Sequence, residues 1–316
     1  MSHCDCMELV CFTIGALVLL KWAWRGLVLI RNLFLGTKVT PQRYGENSWA
    51  VVTGSTDGIG KALALELAKR GFNIVLIARN SEKLAAVAKD IQNKYGRDTR
   101  MIVFDFSKET SFAAYEHIVR LLDDIDVSIL INNVGMSNKP DDQENHQLKD
   151  VHAEVVVNCY PIVILTKLLV DRLKLRYKKT GKRSLILNVA SQITFIPNPY
   201  LAGYCSSKNF DDKFTKSLYY EMKGTGVDVL GLLPGAVSTG LNGFSEVPFA
   251  VIGVQSCATG TLNNATSFVT FGGWVHEIHG FLVKNFMLDL VPQSILIKLT
   301  RGFAEGLKKS WKLKVK

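Results

Sequence analysis

Apolar and polar positions along the middle of the chain follow two different periods. Short apolar runs rich in β-branched residues, typical of buried strands, alternate with longer stretches whose apolar positions lie three and four residues apart, typical of amphipathic helices. Such alternation predicts an α/β fold, a doubly wound parallel sheet with helices on both faces. The predicted strands are 49–53, 73–77, 100–104, 127–132, 184–189 and 227–233, and the predicted helices are 60–70, 82–95, 150–177 and 203–223.

The N-terminal segment has a different pattern. Residues 9–20 are uncharged and almost wholly apolar, and the pattern continues to residue 30, interrupted by Lys21 and Arg25. Those two cations lie on one helical face and can reach lipid head groups, so residues 9–30 are predicted to form a membrane anchor. A buried or interfacial amphipathic helix is the alternative. A cleaved signal peptide is disfavoured, because the cations follow the apolar run and no small-residue cleavage site is evident.

These patterns divide the chain into three parts. Residues 1–46 hold the anchor and a linker, residues 47–245 form the α/β domain, and residues 246–316 form a small apolar and basic extension. In the extension the alternation is lost, and apolar stretches remain at 249–254, 268–274 and 281–297. The extension is therefore expected to face the substrate or a membrane.

Composition and charge favour a membrane as a partner over nucleic acid. Hydrophobic residues make up 47% of the chain and its mean hydropathy is +0.14. The net charge of +10 is concentrated at the end, where residues 298–316 contain seven Lys or Arg and only one acid, Glu305. Apolar residues are interleaved with these cations, a pattern that suits an anionic lipid surface, although a merely solvated basic face has the same composition. Nucleic-acid binding is not predicted, because the cations are confined to one tail.

The six cysteines form neither a metal-ligand motif nor a regular disulfide framework, which indicates a reducing compartment. His146, His152, His276 and His279 lack a spacing suited to metal, so no metal site is predicted. Cys159 and Cys205 have no evident base beside them and are interpreted as packing residues.

A glycine-rich turn follows the first predicted strand and opens the first predicted helix. Residues 53–60 read Thr-Gly-Ser-Thr-Asp-Gly-Ile-Gly, which permits a tight turn and a pyrophosphate at the helix N-terminus. After the second strand the sequence has Arg79 where an acid would bind a free ribose 2′-hydroxyl. Arg79 suits a 2′-phosphate, so the predicted cofactor is NADP(H), with reduction as the expected direction.

Three further side chains are predicted to meet at the same edge of the sheet. Tyr204 and Lys208 are four residues apart on one helix, so they project from the same face. Ser191 follows the strand 184–189 at the carboxyl edge, where open α/β sheets bind ligands.

With these motifs in this order, residues 48–239 resemble the short-chain dehydrogenase/reductase family, which has a Rossmann-type fold. The motifs are the glycine turn, Asp105 after the third strand, residues 132–135, the Ser191/Tyr204/Lys208 set, and residues 234–239. The resemblance implies that Tyr204 donates a proton to the carbonyl oxygen and that Lys208 lowers the pKa of Tyr204 and holds the nicotinamide ribose. It implies that Ser191 binds the same oxygen and that Asn158 holds a water in the proton relay. The residues expected to bind the cofactor are Gly54, Ser55, Asp57, Gly58, Ile59, Gly60, Arg79, Lys83, Asp105, Asn132, Tyr204, Lys208, Pro234, Gly235, Val237 and Thr239.

More narrowly, the chain is similar to the membrane-bound branch that contains 17β-hydroxysteroid dehydrogenases types 3 and 12 and very-long-chain 3-oxoacyl-CoA reductases. This resemblance implies a reductase of a lipidic ketone, with 3-oxoacyl-CoA or a 17-ketosteroid as substrate, and a homodimer. The lysine-rich end, residues 312–316, is similar to signals that retrieve membrane proteins to the endoplasmic reticulum, with a solvated basic terminus as the alternative. The expected location is the endoplasmic reticulum membrane, with the catalytic domain facing the cytosol. A non-catalytic nucleotide-binding protein at a membrane is the alternative of another class.

Three departures from the family pattern concern the substrate more than the chemistry. Cys205 and Ser206 replace the small residues usual after the tyrosine, and Gln192 replaces a small residue after the serine. The segment 136–152 is unusually polar for a loop that faces a substrate.

Overall fold

The predicted doubly wound sheet is confirmed. The computed structural model describes residues 3–241 and 243–314, and in that part seven parallel strands form one sheet. Their order across the sheet is 99–103, 73–78, 49–53, 127–132, 184–189, 227–232 and 269–270. The six predicted strands are present, with ends that differ by at most one residue. The strands are β1 Trp49–Thr53, β2 Asn73–Ala78, β3 Thr99–Val103, β4 Val127–Asn132, β5 Ser184–Val189, β6 Val227–Leu232 and β9 Val269–Thr270, with β7 Val237–Ser238 and β8 Ile252–Gly253 paired separately.

The helices begin where capping residues supply hydrogen-bond acceptors. The side chains of Asp57, Asn80 and Ser111 accept hydrogen bonds from backbone amides in the first turns of the helices that begin at residues 58, 81 and 112. The helix that begins at residue 112 is an addition to the predicted elements. The helices are α1 His3–Phe34, α2 Pro41–Tyr44, α3 Gly58–Lys69, α4 Ser81–Tyr95, α5 Phe112–Arg120, α6 Leu148–Thr180, α7 Ala202–Glu221, α8 Val254–Leu262, α9 Trp274–Leu282, α10 Leu288–Leu290 and α11 Gln293–Lys314. Short 3₁₀ turns cover Gln143–Asn145 and Gln192–Phe195, and a π-helical turn covers Val283–Met287.

The sheet separates two apolar cores. Helices α3, α4 and α8 cover one face, and α5, α6 and α7 cover the other. Strands β2, β4 and β5 are buried along their whole length. Burial on both faces explains why these strands read as continuous apolar runs, without the polar alternation of a half-exposed sheet.

The C-terminal extension contributes directly to this domain. Strand β9 is hydrogen-bonded to β6 through residues 269 and 270, and α8 packs against α3. Farther along, α11 reaches back to the loop before α7, where the Tyr200 hydroxyl hydrogen-bonds Glu305 at 3.1 Å.

Helix α1 has two halves with different surroundings. Its second half is attached to the domain, because Asn32 donates to Glu277 at 3.2 Å and the rings of Trp22 and Phe286 lie 4.3 Å apart. Lys21 and Arg25 both pair with Asp289, at 3.0 and 2.9 Å. Residues 9–20, in contrast, are exposed except for the partly buried Ala16.

Two helices are long and apolar enough to cross a bilayer, residues 7–34 of α1 and the whole of α6. Ten side chains of α6 are buried, including Leu165, Leu169 and Leu173, which belong to the core beneath the sheet. Its apolar character is therefore explained by core packing. The exposed half of α1 has no such explanation within the described residues.

Candidate active site

The candidate site is a pocket of about 480 Å³ at the carboxyl edge of the sheet. It lies where the strand order reverses, between β1 and β4, so the loops after these two strands diverge and leave a crevice. The lining comes from the glycine turn, the ends of β2 to β6, and α7. The pocket therefore has the position at which doubly wound sheets bind nucleotides.

The glycine turn can accept a pyrophosphate. Gly54 and Gly58 have φ angles of +63° and +54°, a region that residues with side chains rarely adopt. A Cβ at Gly60 would overlap Asn133 Nδ2 and the Gly54 carbonyl oxygen. Asn133 Nδ2 in turn donates to the carbonyl oxygens of Thr53 and Gly54, at 2.9 and 3.3 Å, which fixes the turn against β4. The backbone is thus held close to the N-terminus of α3, where an anion is stabilised.

The end of β2 suits the adenosine half of NADP(H). Arg79 is exposed and lines the pocket, and no acid stands at the end of β2. Asp105 lines the same region and accepts hydrogen bonds from the backbone amide and the hydroxyl of Ser107, at 3.0 and 2.7 Å. The charge of Arg79 contributes to lowering the pKa of the Asp105 carboxyl, but no salt bridge of Arg79 is found in the described part of the chain. Its guanidinium fits a 2′-phosphate better than a free 2′-hydroxyl.

Most of the residues predicted to bind the cofactor line this pocket, including Pro234, Gly235, Val237 and Thr239 after β6. Three do not. Ser55 is fully buried behind the turn, and Lys83 is exposed on the first turn of α4. The Asn132 amide donates to Thr166 and Asn188, at 3.1 and 2.8 Å, so it ties β4 to β5 and α6.

Tyr204, Lys208 and Ser191 meet in the pocket as the spacing predicted. Helix α7 carries Tyr204 and Lys208, and Ser191 follows β5, where its hydroxyl also accepts from the Ile193 amide at 3.2 Å. The Ser191 hydroxyl lies near the Tyr204 phenol and favours its ionised form. The Lys208 ammonium donates to the Val189 carbonyl and to Asp211 Oδ2, both at 2.9 Å.

The Tyr204 phenol is held protonated at neutral pH. Burial raises the pKa of Tyr204 above the ordinary value, and the opposing effects of the Lys208 charge and the Ser191 hydroxyl are smaller. Its ring keeps partial exposure only because it lines the pocket. Lys208 thus lowers the pKa of Tyr204, as the family resemblance implies, but burial raises it by more. The Tyr204 phenol is therefore suited to donate a proton.

Asn158 lies just behind the pocket lining and joins two of its walls. Its Nδ2 donates to the Met136 carbonyl at 2.9 Å and to the Ser207 hydroxyl at 2.8 Å, while its Oδ1 accepts from the Met136 amide at 2.8 Å. Asn158 therefore fixes the loop after β4 relative to α7. One oxygen lone pair remains for a further partner.

Several side chains around the site were missed by the sequence reasoning. Asp211 is three residues after Lys208 on the same helical face, a spacing that could have identified it. Glu154 is buried on α6 and accepts from the Asn138 amide at 2.7 Å, and nothing in its local sequence indicates this.

Two of the residues that depart from the family pattern, Gln192 and Cys205, pack or hydrogen-bond within the structure, and Ser206 is exposed. Gln192 donates to the His276 carbonyl at 3.3 Å, and His276 Nδ1 accepts from the Gly235 amide at 3.2 Å. Burial lowers the pKa of His276 to about 4, so this imidazole is neutral. Burial also raises the pKa of the Cys205 thiol, and that of Cys159 to about 11, in keeping with packing residues. Among the described residues no cluster of His, Cys, Asp or Glu could hold a metal.

The polar loop after β4 is covered by the C-terminal helix. Lys308 of α11 pairs with Asp141 at 2.7 Å and with Asp142 at 2.5 Å. Arg301 pairs with Glu305 at 3.0 Å, and its guanidinium lies over the Tyr200 ring. The polarity of segment 136–152 is therefore matched by cations on α11.

Comparison with known proteins places these features in a family context. A family model described as short chain dehydrogenase matches residues 48–246. The 17-beta-hydroxysteroid dehydrogenase type 3 of Homo sapiens is 35% identical over 263 residues, 81% of this chain and 79% of that protein. The very-long-chain 3-oxoacyl-CoA reductase of Anas platyrhynchos is 34% identical over 290 residues, 84% of this chain and 88% of that protein. Among solved structures, the 3-ketoacyl-(acyl-carrier-protein) reductase from Brucella melitensis complexed with NADH is 27% identical, with a TM-score of 0.63 over 72% of this chain and 96% of that chain.

Proposed function

The chain belongs to the short-chain dehydrogenase family and is an oxidoreductase that acts on alcohol and carbonyl groups with a nicotinamide dinucleotide; from this premise we propose that it is an NADPH-dependent reductase of a lipidic ketone. The observation that carries the proposal is the meeting of Ser191, Tyr204 and Lys208 in one pocket beside the glycine turn. Very-long-chain 3-oxoacyl-CoA is the proposed substrate.

The proposed chemistry uses each of these side chains once. The reduced dinucleotide, when bound, supplies a hydride to the carbonyl carbon. Tyr204 donates its phenolic proton to the carbonyl oxygen, and the Ser191 hydroxyl holds that oxygen by a hydrogen bond. Lys208 stabilises the phenolate that remains and reaches the nicotinamide ribose with its third N–H group. Asn158 returns the proton through a water held at its free lone pair.

Arg79 supports NADPH as the physiological donor. The pocket lining contains two cationic side chains, Arg79 and Lys208. Arg79 lies at the adenosine end, and Lys208 belongs to the proposed catalytic set. A charge-assisted contact of the guanidinium with a 2′-phosphate contributes about 1.5–3 kcal/mol. This contact favours NADPH over NADH, although the Brucella melitensis relative was solved with NADH.

Two observations bear on the substrate. The pocket lining includes Val134, Met136 and Leu241, which suit an apolar chain. Helix α11 places cations beside the loop at residues 141–142, where the phosphates of coenzyme A would find partners, and this supports an acyl-CoA.

The 17-ketosteroid is the second candidate, and one feature of α11 favours it. Lys308 and Arg301 are already paired with acids, so a phosphate must displace Asp141 or Glu305 to reach them. A steroid carries no phosphate and makes no such demand. A non-catalytic role is a poorer candidate, because all four proposed catalytic side chains are present.

We also propose that α1 inserts in the membrane of the endoplasmic reticulum, with the catalytic domain in the cytosol. Residues 9–20 span roughly 18 Å as a helix, less than the hydrocarbon thickness of about 30 Å. In this proposal the bilayer surface lies at the level of Lys21, Arg25 and Asp289, which are paired with one another. The exposed Leu288 and Leu290 lie beside them. The lysine-rich end that suggests retention lies partly outside the described residues, and the homodimer stays a prediction.

The decisive assay compares substrates in detergent with purified full-length protein and NADPH. A long-chain 3-oxoacyl-CoA, the same acyl chain as an N-acetylcysteamine thioester, and a 17-ketosteroid are offered in parallel. The proposal expects the highest kcat/KM with the CoA ester, and a lower value with the thioester that lacks phosphates. Preference for the steroid would replace the acyl-CoA assignment, and no turnover with any of them, despite NADPH binding, would contradict the proposed function.

A further inference from the structure

The catalytic lysine has a buried carboxylate as its partner. Lys208 Nζ lies 2.9 Å from Asp211 Oδ2, and the two side chains are only 5% and 3% exposed. Asp211 Oδ1 has no hydrogen-bond partner among the described residues. Within the described part of the chain, Lys208 is the cation that forms a salt bridge with this carboxylate.

The pair fixes where the lysine can reach. Two of the three N–H groups of Lys208 are used, one by the Val189 carbonyl at the end of β5 and one by Asp211. A single N–H group remains for the pocket. Without Asp211 the flexible four-carbon side chain would have one anchor instead of two.

The pair also sets the charge around Tyr204. The charges that act on the Tyr204 phenol are those of Lys208 and Asp211 on α7 and of Glu154 on α6. Cys159, also on α6, has a pKa raised to about 11 and stays neutral. Asp212 is paired with Lys216, and its charge contributes to raising the pKa of Asp211. The phenol is thus under the influence of one cation, Lys208, and two acids, Asp211 and Glu154.

The two members of the pair respond differently to burial. For Lys208, burial is the largest effect and lowers the pKa, but the attraction of Asp211 and Tyr204 and the hydrogen bond to Asp211 together raise it above the ordinary value. For Asp211, burial raises the pKa, and the ammonium opposes this rise. With the donor and acceptor 2.9 Å apart, the pair is an ion pair at neutral pH.

We propose that Asp211 is a positioning residue that holds Lys208 in place and cancels much of its charge, which biases the site towards carbonyl reduction. Reduction begins with a protonated Tyr204, whereas oxidation of the alcohol begins with the phenolate. A neutralised lysine stabilises the phenolate less, so the acid form of Tyr204 persists to higher pH. The inference rests on the proposed function and adds a residue that the motif does not include.

The test is the pH dependence of Asp211→Asn in both directions, with Asp211→Glu and Asp212→Asn as companions. Asp212→Asn removes a buried charge one position away, and its partner Lys216 is not part of the site. For Asp211→Asn we expect the alkaline limb of kcat/KM for reduction to move to lower pH by about one unit or more, and oxidation at pH 7.5 to rise about tenfold relative to reduction. Asp211→Glu and Asp212→Asn are expected to keep the wild-type limb.

A shift of the limb to lower pH in Asp211→Asn alone supports the proposal. A limb that stays in place, or moves to higher pH, overturns it, whatever happens to kcat, because a merely structural role lowers the rate equally at all pH values.

A second readout does not depend on turnover. The alkaline difference absorbance between each protein and its Tyr204→Phe counterpart reports the Tyr204 phenolate directly. It should emerge at lower pH in Asp211→Asn than in wild type, and coincident titrations overturn the inference. If no substrate turns over, the proposed function fails while this titration still tests Asp211. If Asp211→Asn does not fold, the Asp211→Glu titration takes its place, and a phenolate shift there would contradict a role that depends on charge.

Discussion

Replacing Gly60 by alanine should damage the cofactor turn, although alanine is the better helix former. A Cβ at this position would overlap Asn133 Nδ2 and the Gly54 carbonyl oxygen, which are already hydrogen-bonded to each other at 3.3 Å. Overpacking of this kind costs about 1–3 kcal/mol. Loss of the two hydrogen bonds of the Asn133 amide costs about 1 kcal/mol each. The helix propensity of alanine returns about 1 kcal/mol, so the net loss of stability is about 2–4 kcal/mol.

The matched control is Gly302→Ala, also a helical glycine but with no heavy atom within 4 Å of an added Cβ. There only the propensity gain of about 1 kcal/mol remains. Thermal unfolding in detergent and NADPH titration by fluorescence measure both variants. Gly60→Ala should lower Tm by on the order of 10 °C, since each kcal/mol shifts Tm by about 2–4 °C in a domain of this size, and weaken NADPH binding at least about tenfold. Equal Tm values and affinities for the two variants would refute the steric reasoning.

Three further variants test other parts of the structure. Arg79→Ala should lower kcat/KM for NADPH by about 10–100-fold and leave that for NADH nearly unchanged, because only the 2′-phosphate loses a charge-assisted contact; equal losses with both donors would contradict the role of Arg79. Lys308→Ala frees α11 from Asp141 and Asp142, so we expect a raised KM for the lipidic substrate with an unaltered Kd for NADPH. Lys309→Ala serves as its control, because no salt bridge of Lys309 is found in the part of the chain that the structure describes. Asp289→Asn releases Lys21 and Arg25, and vesicle flotation should show about fivefold tighter binding to anionic lipid, since each additional net positive charge near such a surface contributes about 1 kcal/mol; unchanged flotation would place the bilayer surface elsewhere.

The central fold was predictable because its signals are local. Buried parallel strands such as β4 and β5 read as short apolar runs, and their lengths match the predicted ranges. The spacing of Tyr204 and Lys208 and the position of Ser191 after a strand likewise depend on neighbours in sequence. These features needed no knowledge of long-range contacts.

The parts that were missed depend on distant contacts or on very short elements. Strand β9 has two residues, too few for a periodic pattern, and it forms because β6 offers a free edge. The contact of Lys308 with Asp142 joins residues 166 positions apart. The burial of Asp211 arises from the way α7 packs in the domain, so its pairing with Lys208 was visible as a spacing but not as a buried ion pair.

The most direct test of the account is NADPH oxidation by wild type and by Tyr204→Phe with the 3-oxoacyl-CoA and the 17-ketosteroid. Loss of the phenolic proton donor should lower kcat by about 10²–10⁴-fold, while the Kd for NADPH remains within about twofold, because the ring still lines the pocket. Wild-type rates in the phenylalanine variant, or a loss explained by weaker NADPH binding alone, would contradict the assignment of Tyr204 as the proton donor.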